Sequence, residues 1–347
     1  MIRLDTLSLL VPEEAVRREV SRVWYVENQL TDSETGDISV VRQAKANHLP
    51  IGVSQLKHKE GGDYILTLSA KTLKDNYLDG INLNTWERAI QGIDEILDID
   101  TQRLWDLNPT ICRLDTTDNI NIEQIGHSKR EICLSLYQNK MNGRFVSKWY
   151  ESSKKLGIEF AGTQKEKNRI ICYDKTLDLK KASNRDFRKS LVNPLGMYTQ
   201  AEKTLRFETN HTTKRSIIDR FKVSQNNLQE VLQSTTPVNH NFLKKVIGSD
   251  YQITLFEEIK NYKDNPYLFF TMKGVENVYK ELDYDAGQMK RLVRELYGEK
   301  NYKNVWHRGR QPIKNLIMQI QMGSADNSGK VTESICRDIM EALRLAV

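Results

Sequence analysis

The pattern of apolar and polar positions changes in kind near residue 220. Before that point, short runs rich in β-branched residues alternate apolar and polar positions, which is the period of a half-buried strand. We expect strands at these stretches: Arg3–Leu10, Asp37–Ala44, Ile51–Lys57, Tyr64–Ala70, Thr110–Thr116, Arg169–Tyr173 and Thr204–Thr209. Apolar residues at helical spacing predict helices at about residues 84–96 and 123–137 among these strands.

Beyond residue 220 the apolar residues recur mainly at helical spacing. The segments with this spacing are Phe242–Ile247, Tyr251–Ile259, Met272–Glu281, Ala286–Tyr297, Gln311–Gln321 and Thr332–Val347. We therefore predict an α+β fold, with an antiparallel-sheet nuclease domain and flanking helices over residues 1–222. A mainly helical domain follows over residues 223–347, with the boundary between residues 215 and 240. No internal repeat is visible in the sequence.

Composition narrows the class of protein. The absence of any run of about 18 apolar residues excludes a membrane span, and the N-terminus lacks the apolar core of a secretory signal. We therefore expect a cytoplasmic protein. Its four cysteines are far apart and form no Cys-x-x-Cys pair, which argues against a zinc site or a disulfide framework. Cys112 and Cys172 lie in apolar strand-like runs, where we expect buried side chains.

Positive charge is concentrated in the middle of the chain. The formal net charge is +6, which permits binding to nucleic acid without requiring it. Between Gln164 and Arg215 there are 13 Lys or Arg residues against 6 Asp or Glu residues. A polyanionic partner is therefore a reasonable hypothesis, although a solvated surface would show the same charge run.

Three of the predicted strands alternate apolar residues with residues suited to catalysis. The period of two places the polar side chains of each strand on one face. If the strands are neighbours in one sheet, that face collects six side chains: Arg113, Asp115, Tyr173, Lys175, Arg206 and Glu208. A half-exposed antiparallel sheet with surface ion pairs shows the same alternation, so the pattern by itself leaves both interpretations open.

This set of side chains suits the transfer of a phosphodiester. Asp115 and Glu208 supply the oxygen ligands that Mg²⁺ or Mn²⁺ prefers, and such an ion polarises a phosphate. Tyr173 is the candidate nucleophile, although a free phenol has a pKa of about 10. A cation nearby, either Lys175 or the metal, would favour the phenolate.

Four motifs in a fixed order resemble a known family. They are Met-Ile-x-x-Asp5-x-Leu, Cys112-Arg113-Leu114-Asp115-x-Thr117, Tyr173-Asp-Lys175-x-x-Asp178-Leu and Leu205-Arg206-Phe207-Glu208. In their order and similar spacing they resemble the gene II and gene X replication proteins of filamentous phages, a family shared with related plasmid initiators. The motifs cover residues 1 to about 220, and the later segments match only loosely.

The resemblance implies an endonuclease and joining activity at a replication origin. Such an initiator nicks one strand of supercoiled DNA through a 5′-phosphotyrosine, leaves a 3′-hydroxyl primer and later rejoins the strand. By this analogy Tyr173 is the covalent nucleophile and Lys175 its electrostatic partner. Asp115 and Glu208 are then the ligands of Mg²⁺ or Mn²⁺, and Asp5 is a further metal or structural candidate.

The sequence determines the roles of two arginines and of the histidines less closely. Arg113 and Arg206 either hold phosphate or orient the carboxylates. Many rolling-circle initiators bind their metal with two histidines flanking one apolar residue, but the six histidines of this chain are scattered. His211, three residues beyond Glu208, is the one candidate for recruitment to the metal, and an exposed position is the simpler expectation for it.

The resemblance also implies partners. These are origin DNA, both supercoiled double-stranded and single-stranded, and the polymerase of a bacterial host. Because the chain has no Gly-x-x-x-x-Gly-Lys phosphate loop, unwinding requires a host helicase. A second cycle of cleavage by the partner subunit's Tyr173 would need a homodimer. We expect no membrane partner.

The C-terminal region offers a second DNA-binding candidate. Residues 285–294 have the spacing of a helix with a basic face, and basic residues surround Trp306 downstream. Helical packing or dimerisation would explain this segment equally well. For the whole chain, two alternative functions remain: a non-enzymatic origin-binding initiator, and a relaxase or transposase with the same nicking chemistry.

Overall fold

A computed structural model describes residues 1–19, 24–31, 38–59, 62–139, 145–162, 169–247, 291 and 328–346. Its strands are β1 (Leu4–Val11), β2 (Val16–Glu19), β3 (Trp24–Thr31), β4 (Ile38–Ala44), β5 (Val53–Lys59), β6 (Tyr64–Ser69), β7 (Leu97–Ile99), β8 (Ile111–Asn121), β9 (Phe145–Ser152), β10 (Lys155–Gly162), β11 (Arg169–Asp174) and β12 (Thr204–His211). Its α-helices are α1 (Trp86–Gln91), α2 (Thr101–Leu107), α3 (Ile122–Ile125), α4 (Lys129–Gln138), α5 (Lys175–Leu179), α6 (Arg185–Lys189), α7 (Pro194–Glu202), α8 (Lys214–Phe221), α9 (Leu228–Gln233), α10 (Val238–Ile247) and α11 (Ser328–Leu345). The predicted α+β class with a large antiparallel sheet is confirmed.

The main sheet repeats one strand layout. Among the described strands, ten form this sheet in the order β3-β4-β5-β6-β1-β8-β12-β11-β10-β9, and β2 pairs separately with β7. The first half consists of β1 and the meander β3–β6, whose last strand pairs with β1. The second half consists of β8 and the meander β9–β12, whose last strand pairs with β8. β1 and β8 join the halves, so the topology repeats where the sequence shows no repeat.

The seven predicted strands are all present, and the differences lie in the other elements. Five of the described strands were not predicted: β2, β3, β7, β9 and β10. In β9 and β10 many side chains are at least partly exposed and their polarity does not alternate cleanly. The helix expected over residues 123–137 is divided into α3 and α4, because Gly126 ends α3 with φ +74°. The helix expected to reach residue 96 ends at Gln91, and β7 begins soon after it.

The centre of the core lies where the two halves join. Leu7 of β1 is paired with Leu68 of β6 on one side and with Leu114 of β8 on the other. All three side chains are at most 1% exposed. Burial of each leucine contributes about 1.5–3 kcal/mol, so this row fixes the register of the central strands.

The predicted boundary at residue 222 differs from the structure. One compact unit comprises Met1–Cys133, Lys140–Ile247 and Asp338–Val347, and a second comprises Leu134–Asn139 and Gly248–Arg337. Val231 and Leu232 of α9 belong to the core of the first unit, so this helix completes the sheet unit and does not begin a separate domain. The helices predicted between residues 251 and 321, and the basic segment near Trp306, lie outside the described residues.

The two cysteine predictions have opposite outcomes. Cys172 is 2% exposed, as expected. Cys112 is exposed, because an irregularity in the pairing of β1 with β8 between Ser8 and Leu9 breaks the alternation there. In the part of the chain that the structure describes, no helix is long and apolar enough to cross a membrane.

Candidate active site

The three strands with the candidate residues are neighbours in the order β8-β12-β11. Arg206 of β12 is paired with Tyr173 of β11 and with Asn119 of β8, and Glu208 lies two residues further along the same face. Phe207 between them is fully buried on the opposite face. The three strands therefore adjoin, and the condition under which their polar side chains share one face is met.

Tyr173 has a partner for its proton and a cation at the same hydroxyl. The hydroxyl donates to Oε1 of Glu208 at 2.6 Å and accepts from Nζ of Lys175 at 3.1 Å. Gly157 of β10 is paired with Tyr173 of β11. A Cβ atom at Gly157 would lie 2.9 Å from the tyrosine Cβ and 2.5 Å from the Cys172 carbonyl oxygen. Only glycine therefore leaves room for the tyrosine in this position.

The chain turns sharply after β11 and so brings Lys175 back to Tyr173. Asp174 caps α5 by accepting from the backbone N–H of Thr176 at 2.8 Å, and Lys175 is the first residue of that helix. A lysine two positions after a strand tyrosine would ordinarily continue along the same face. Here the helix start takes the place of a longer strand and keeps the two side chains in contact.

Lys175 is buried and uses all three of its N–H donors. It is 1% exposed and donates to Tyr77 at 2.5 Å, to Tyr173 at 3.1 Å and to Asp178 at 2.8 Å. Burial lowers the pKa of Lys175, and the positive charge of Arg206 lowers it further. Asp178 opposes both effects, since its carboxylate pairs directly with the ammonium group.

Arg206 orients the carboxylates and lies too deep to contact a phosphate at the surface. Its side chain is fully buried, and Nη1 lies 2.7 Å from Oδ1 of Asp5 and 3.5 Å from Oε1 of Glu208. Its Nε donates to Oδ1 of Asn119 at 2.8 Å. Of the two predicted roles, the geometry favours orientation.

Arg113 lies at an exposed position on β8. Its side chain is 50% exposed and pairs with Asp115 at 3.0 Å. An exposed pair of this kind contributes at most about 1 kcal/mol to stability. Asp115 is more enclosed than its partner, and burial raises the pKa of its carboxyl group.

The electrostatics of the site make Glu208 a proton acceptor near neutral pH. Burial, together with the charge of Asp5, raises the pKa of Glu208 to about 7. Burial also raises the pKa of Tyr173 well above its ordinary value, and the charge of Glu208 adds to this effect. The tyrosine therefore stays protonated in the resting site, with its proton directed at a carboxylate that ionises near pH 7.

The three carboxylates predicted to hold Mg²⁺ or Mn²⁺ do not form one centre. Asp5 and Glu208 share the buried guanidinium of Arg206, a fixed cation between them, whereas Asp115 pairs with Arg113. Among the described residues, no group of three His, Cys, Asp or Glu side chains is placed to hold a metal ion. This donor set as arranged does not fit the predicted metal site, and the metal requirement stays a prediction.

Two cavities adjoin at Tyr173. Their volumes are about 170 and 450 Å³, and they share Tyr173, Asp178, Lys181 and Glu208 as lining residues. Lys154 and Lys155 line the smaller cavity, and Lys71 with the hydroxyls of three serines (Ser54, Ser69 and Ser183) lines the larger one. Lysines and hydroxyls are donors suited to a phosphate backbone, so this wall can receive a polyanion on either side of the tyrosine.

His211 lies away from these groups, on the opposite face of the sheet. It is paired with Leu114 and is fully buried, so the expectation of an exposed position was wrong. Burial lowers the pKa of His211 to about 3, with a further contribution from Arg220. Its Nδ1 is 3.2 Å from Oγ of Ser216, which gives the ring a structural partner.

The sequence predicted no role for two residues that contact Lys175: Asp178, which belongs to the third motif, and Tyr77, which belongs to none. Asp178 stands three residues after Lys175, a helical spacing that predicts a contact once the strand is known to end at Asp174. Tyr77 lies in a 3₁₀ segment, Ala70–Asp79, with no apolar period to single it out. It contacts both Lys175 and Arg206, at separations of 98 and 129 residues along the chain.

Comparisons with known proteins assign no family to the chain. No protein-family model, curated protein or solved structure matches it. The resemblance to filamentous-phage replication proteins therefore stays a prediction, and the function has to be inferred from the geometry of the site.

Proposed function

We propose that the chain nicks and rejoins one strand of DNA through a covalent link to Tyr173, as a rolling-circle replication initiator does. The observation that most supports this proposal is the pair of contacts at one hydroxyl. Tyr173 donates to Glu208 and accepts from Lys175, on the wall shared by two lysine-lined cavities. A structural tyrosine has no need of a buried cation and an ionisable acceptor together.

The cleavage step uses these two neighbours. Oη of Tyr173 attacks the phosphorus of the scissile phosphodiester, a bond forms between them, and the bond from phosphorus to the 3′ oxygen breaks. The phenolic proton passes to the Glu208 carboxylate, and the departing 3′ oxygen takes a proton from water. Lys175 stabilises the charge that develops on the tyrosine oxygen. The reverse sequence of bond changes rejoins the strand.

The cleavage step leaves a free 3′-hydroxyl, which replication requires as a primer. The covalent phosphotyrosine conserves the energy of the broken bond, while the 3′ end primes a host polymerase. Origin DNA is the substrate in this proposal, and a host helicase supplies unwinding. The assignment to replication follows from the four-motif resemblance, whereas the nicking chemistry follows from the side chains.

The test uses wild type and Tyr173→Phe with supercoiled DNA that carries the candidate origin. Each protein is incubated with Mg²⁺ or Mn²⁺ and then with chelator, and the denatured products are probed for protein attached to a DNA 5′ end. Tyr64→Phe is the matched control, because Tyr64 is a buried tyrosine whose hydroxyl contacts Glu19, away from the site. We expect an adduct with wild type and control, and at least a thousandfold less with Tyr173→Phe.

The other outcomes point to specific alternatives. DNA binding without a nick in any of the three proteins would favour a non-enzymatic origin-binding protein. An adduct that persists in Tyr173→Phe would move the nucleophile elsewhere. Joining of ends from two different DNA molecules, at a rate similar to resealing, would favour a relaxase or transposase. An adduct that forms equally with chelator would remove the predicted Mg²⁺ or Mn²⁺ requirement.

A further inference from the structure

We infer that Tyr77 is a positioning residue for this reaction, which holds Lys175 and Arg206 in place around Tyr173. The inference rests on the proposed function, and it concerns how the buried cations of the site are kept together. Tyr77 belongs to none of the four motifs, and the segment that carries it, Ala70–Asp79, follows the last strand of the first half.

The hydroxyl of Tyr77 is an acceptor for both cations. It lies 2.5 Å from Nζ of Lys175 and 3.0 Å from Nη1 of Arg206. The side chain is 2% exposed, and Phe187 packs against its ring edge-on, at 5.1 Å between centroids and 70° between planes. Phe187 therefore fixes the ring of Tyr77, while the hydroxyl oxygen accepts hydrogen bonds from Lys175 and Arg206.

Such an acceptor is needed because two like charges are buried side by side. A hydroxyl oxygen has two lone pairs, so a single tyrosine can satisfy one N–H from each cation. Without it, Lys175 would keep Tyr173 and Asp178 as acceptors and leave one buried N–H unpaired. The ammonium would then have reason to shift toward Asp178 and away from the nucleophile.

Tyr77 acts through its neighbours and not on DNA. It borders the larger cavity, but only 2% of the side chain is exposed and its oxygen is already engaged by two donors, so it offers almost no surface to a nucleotide. Burial raises the pKa of Tyr77 well above its ordinary value, so it remains a neutral phenol. Tyr173 differs in that it lines both cavities and is only partly buried.

The test compares Tyr77→Phe with the control Tyr64→Phe. The phenylalanine keeps the ring and its contact with Phe187, and removes only the shared acceptor. We expect the rate of adduct formation at saturating DNA to fall about 10- to 100-fold, the effect of one hydrogen bond to charged groups, while the Kd for DNA stays unchanged. The control should leave both values as they are in wild type.

A second measurement does not depend on activity. In ¹⁵N-lysine-labelled protein, the fully bonded, buried ammonium of Lys175 should give a slowly exchanging NMR signal, identified by its loss in Lys175→Arg. In Tyr77→Phe we expect its hydrogen exchange to quicken about tenfold or more, with no such change in Tyr64→Phe. Unchanged exchange would overturn the inference, as would a rate of adduct formation equal to that of wild type. If wild type forms no adduct, the proposed function fails, while the NMR result still decides whether Tyr77 holds Lys175.

Discussion

The two halves of the sheet share a strand layout and differ in what their common polar face carries. In the first half, Thr67 of β6 contacts Oγ of Ser8 at 2.9 Å and Oε1 of Gln55 at 3.4 Å, which is an uncharged chain of hydrogen bonds. In the second half, the corresponding face carries two ionisable side chains, Arg206 and Glu208, both at least four-fifths buried.

The difference arises from an insertion between two strands. β5 and β6 of the first half are joined by residues 60–63, whereas residues 175–203 separate β11 from β12. That insertion supplies Lys175 as its first residue and Asp178 one turn later, and Leu179 joins it to the core. Both halves therefore have the same strand layout, and the helices inserted between β11 and β12 enclose the polar face of the second half and make it a charged site.

The largest effect should come from removing the buried cation of the second half. We expect Arg206→Met to cost about 3–5 kcal/mol in the free energy of unfolding at pH 8, because it leaves Asp5 and Glu208 buried without their partner. Arg42→Met, in the first half, removes an exposed pair with Glu27 and should cost less than about 1 kcal/mol. Urea denaturation measures both, and equal costs would contradict the contrast between the halves.

The second effect depends on pH. Because the pKa of Glu208 is raised from 4.5 to about 7, the folded protein binds this proton more tightly than the unfolded chain does. The group therefore stabilises the fold below pH 4.5, and this contribution is lost as the pH rises through about 7. Glu208→Gln cannot ionise, so its stability relative to wild type should rise by up to about 3 kcal/mol between pH 4.5 and 8.

The matched control for this pH effect is Glu27→Gln in the first half. Glu27 has a side chain 66% exposed and lies outside the site, so Glu27→Gln reports the effect of the same substitution at an exposed position. Thermal or urea unfolding across the pH range gives both curves. A wild-type curve that is flat between pH 4.5 and 8 would show that Glu208 is not held in a raised-pKa environment.

A third, intermediate effect should come from Gly157, the glycine paired with Tyr173. Gly157→Ala places a methyl group 2.5 Å from the Cys172 carbonyl and 2.9 Å from Cβ of Tyr173, so we expect a loss of about 1–3 kcal/mol and at least tenfold slower adduct formation. Gly126→Ala has open space around its Cβ and a positive φ, so it should lose stability alone. Equal rates of adduct formation in the two variants would contradict this prediction, because they would mean that the clash at Gly157 does not affect the reaction.

The smallest effect belongs to the uncharged face of the first half. Thr67→Val removes the hydroxyl that contacts Ser8 and Gln55, and should cost about 1 kcal/mol in the free energy of unfolding. Adduct formation should be unaffected, because no cluster member contacts this threonine by hydrogen bond. Slower adduct formation in Thr67→Val would mean that the uncharged hydrogen bonds of β6 also contribute to the reaction, and the contrast between the two faces would then need revision.

The sequence could predict seven of the twelve described strands and, within each strand of the site, which side chains lie on the same face. Alternation over a few residues is a local property: it placed Arg206 and Glu208 on one face of their strand, and it added Tyr173 to that face only on the condition that the strands pair. The family resemblance added their order along the chain. Both the alternation and the motifs span only a few residues each, and for that reason they can be detected in a single sequence without an alignment.

The sequence could not predict which of these side chains are buried or what completes the cluster. An arginine between Leu205 and Phe207 has the pattern of a surface position, yet the insertion before β12 encloses it completely. Tyr77 lies 98 residues before Lys175 in the chain, and no sequence spacing predicts a contact between residues so far apart. The domain boundary failed for a similar reason, since the apolar residues of α9 do not indicate which unit they complete.

The ion pair between Asp5 and Arg206 also has a consequence for how the chain folds. It joins residues 201 positions apart, and it needs β1, β8 and β12 to be paired before it can close. Contacts over such long loops form slowly, since the entropy of loop closure is lost before the contact is gained. Partly folded chains therefore carry Tyr173 without its oriented carboxylate, so the proposed cleavage activity should appear only at the last stage of folding.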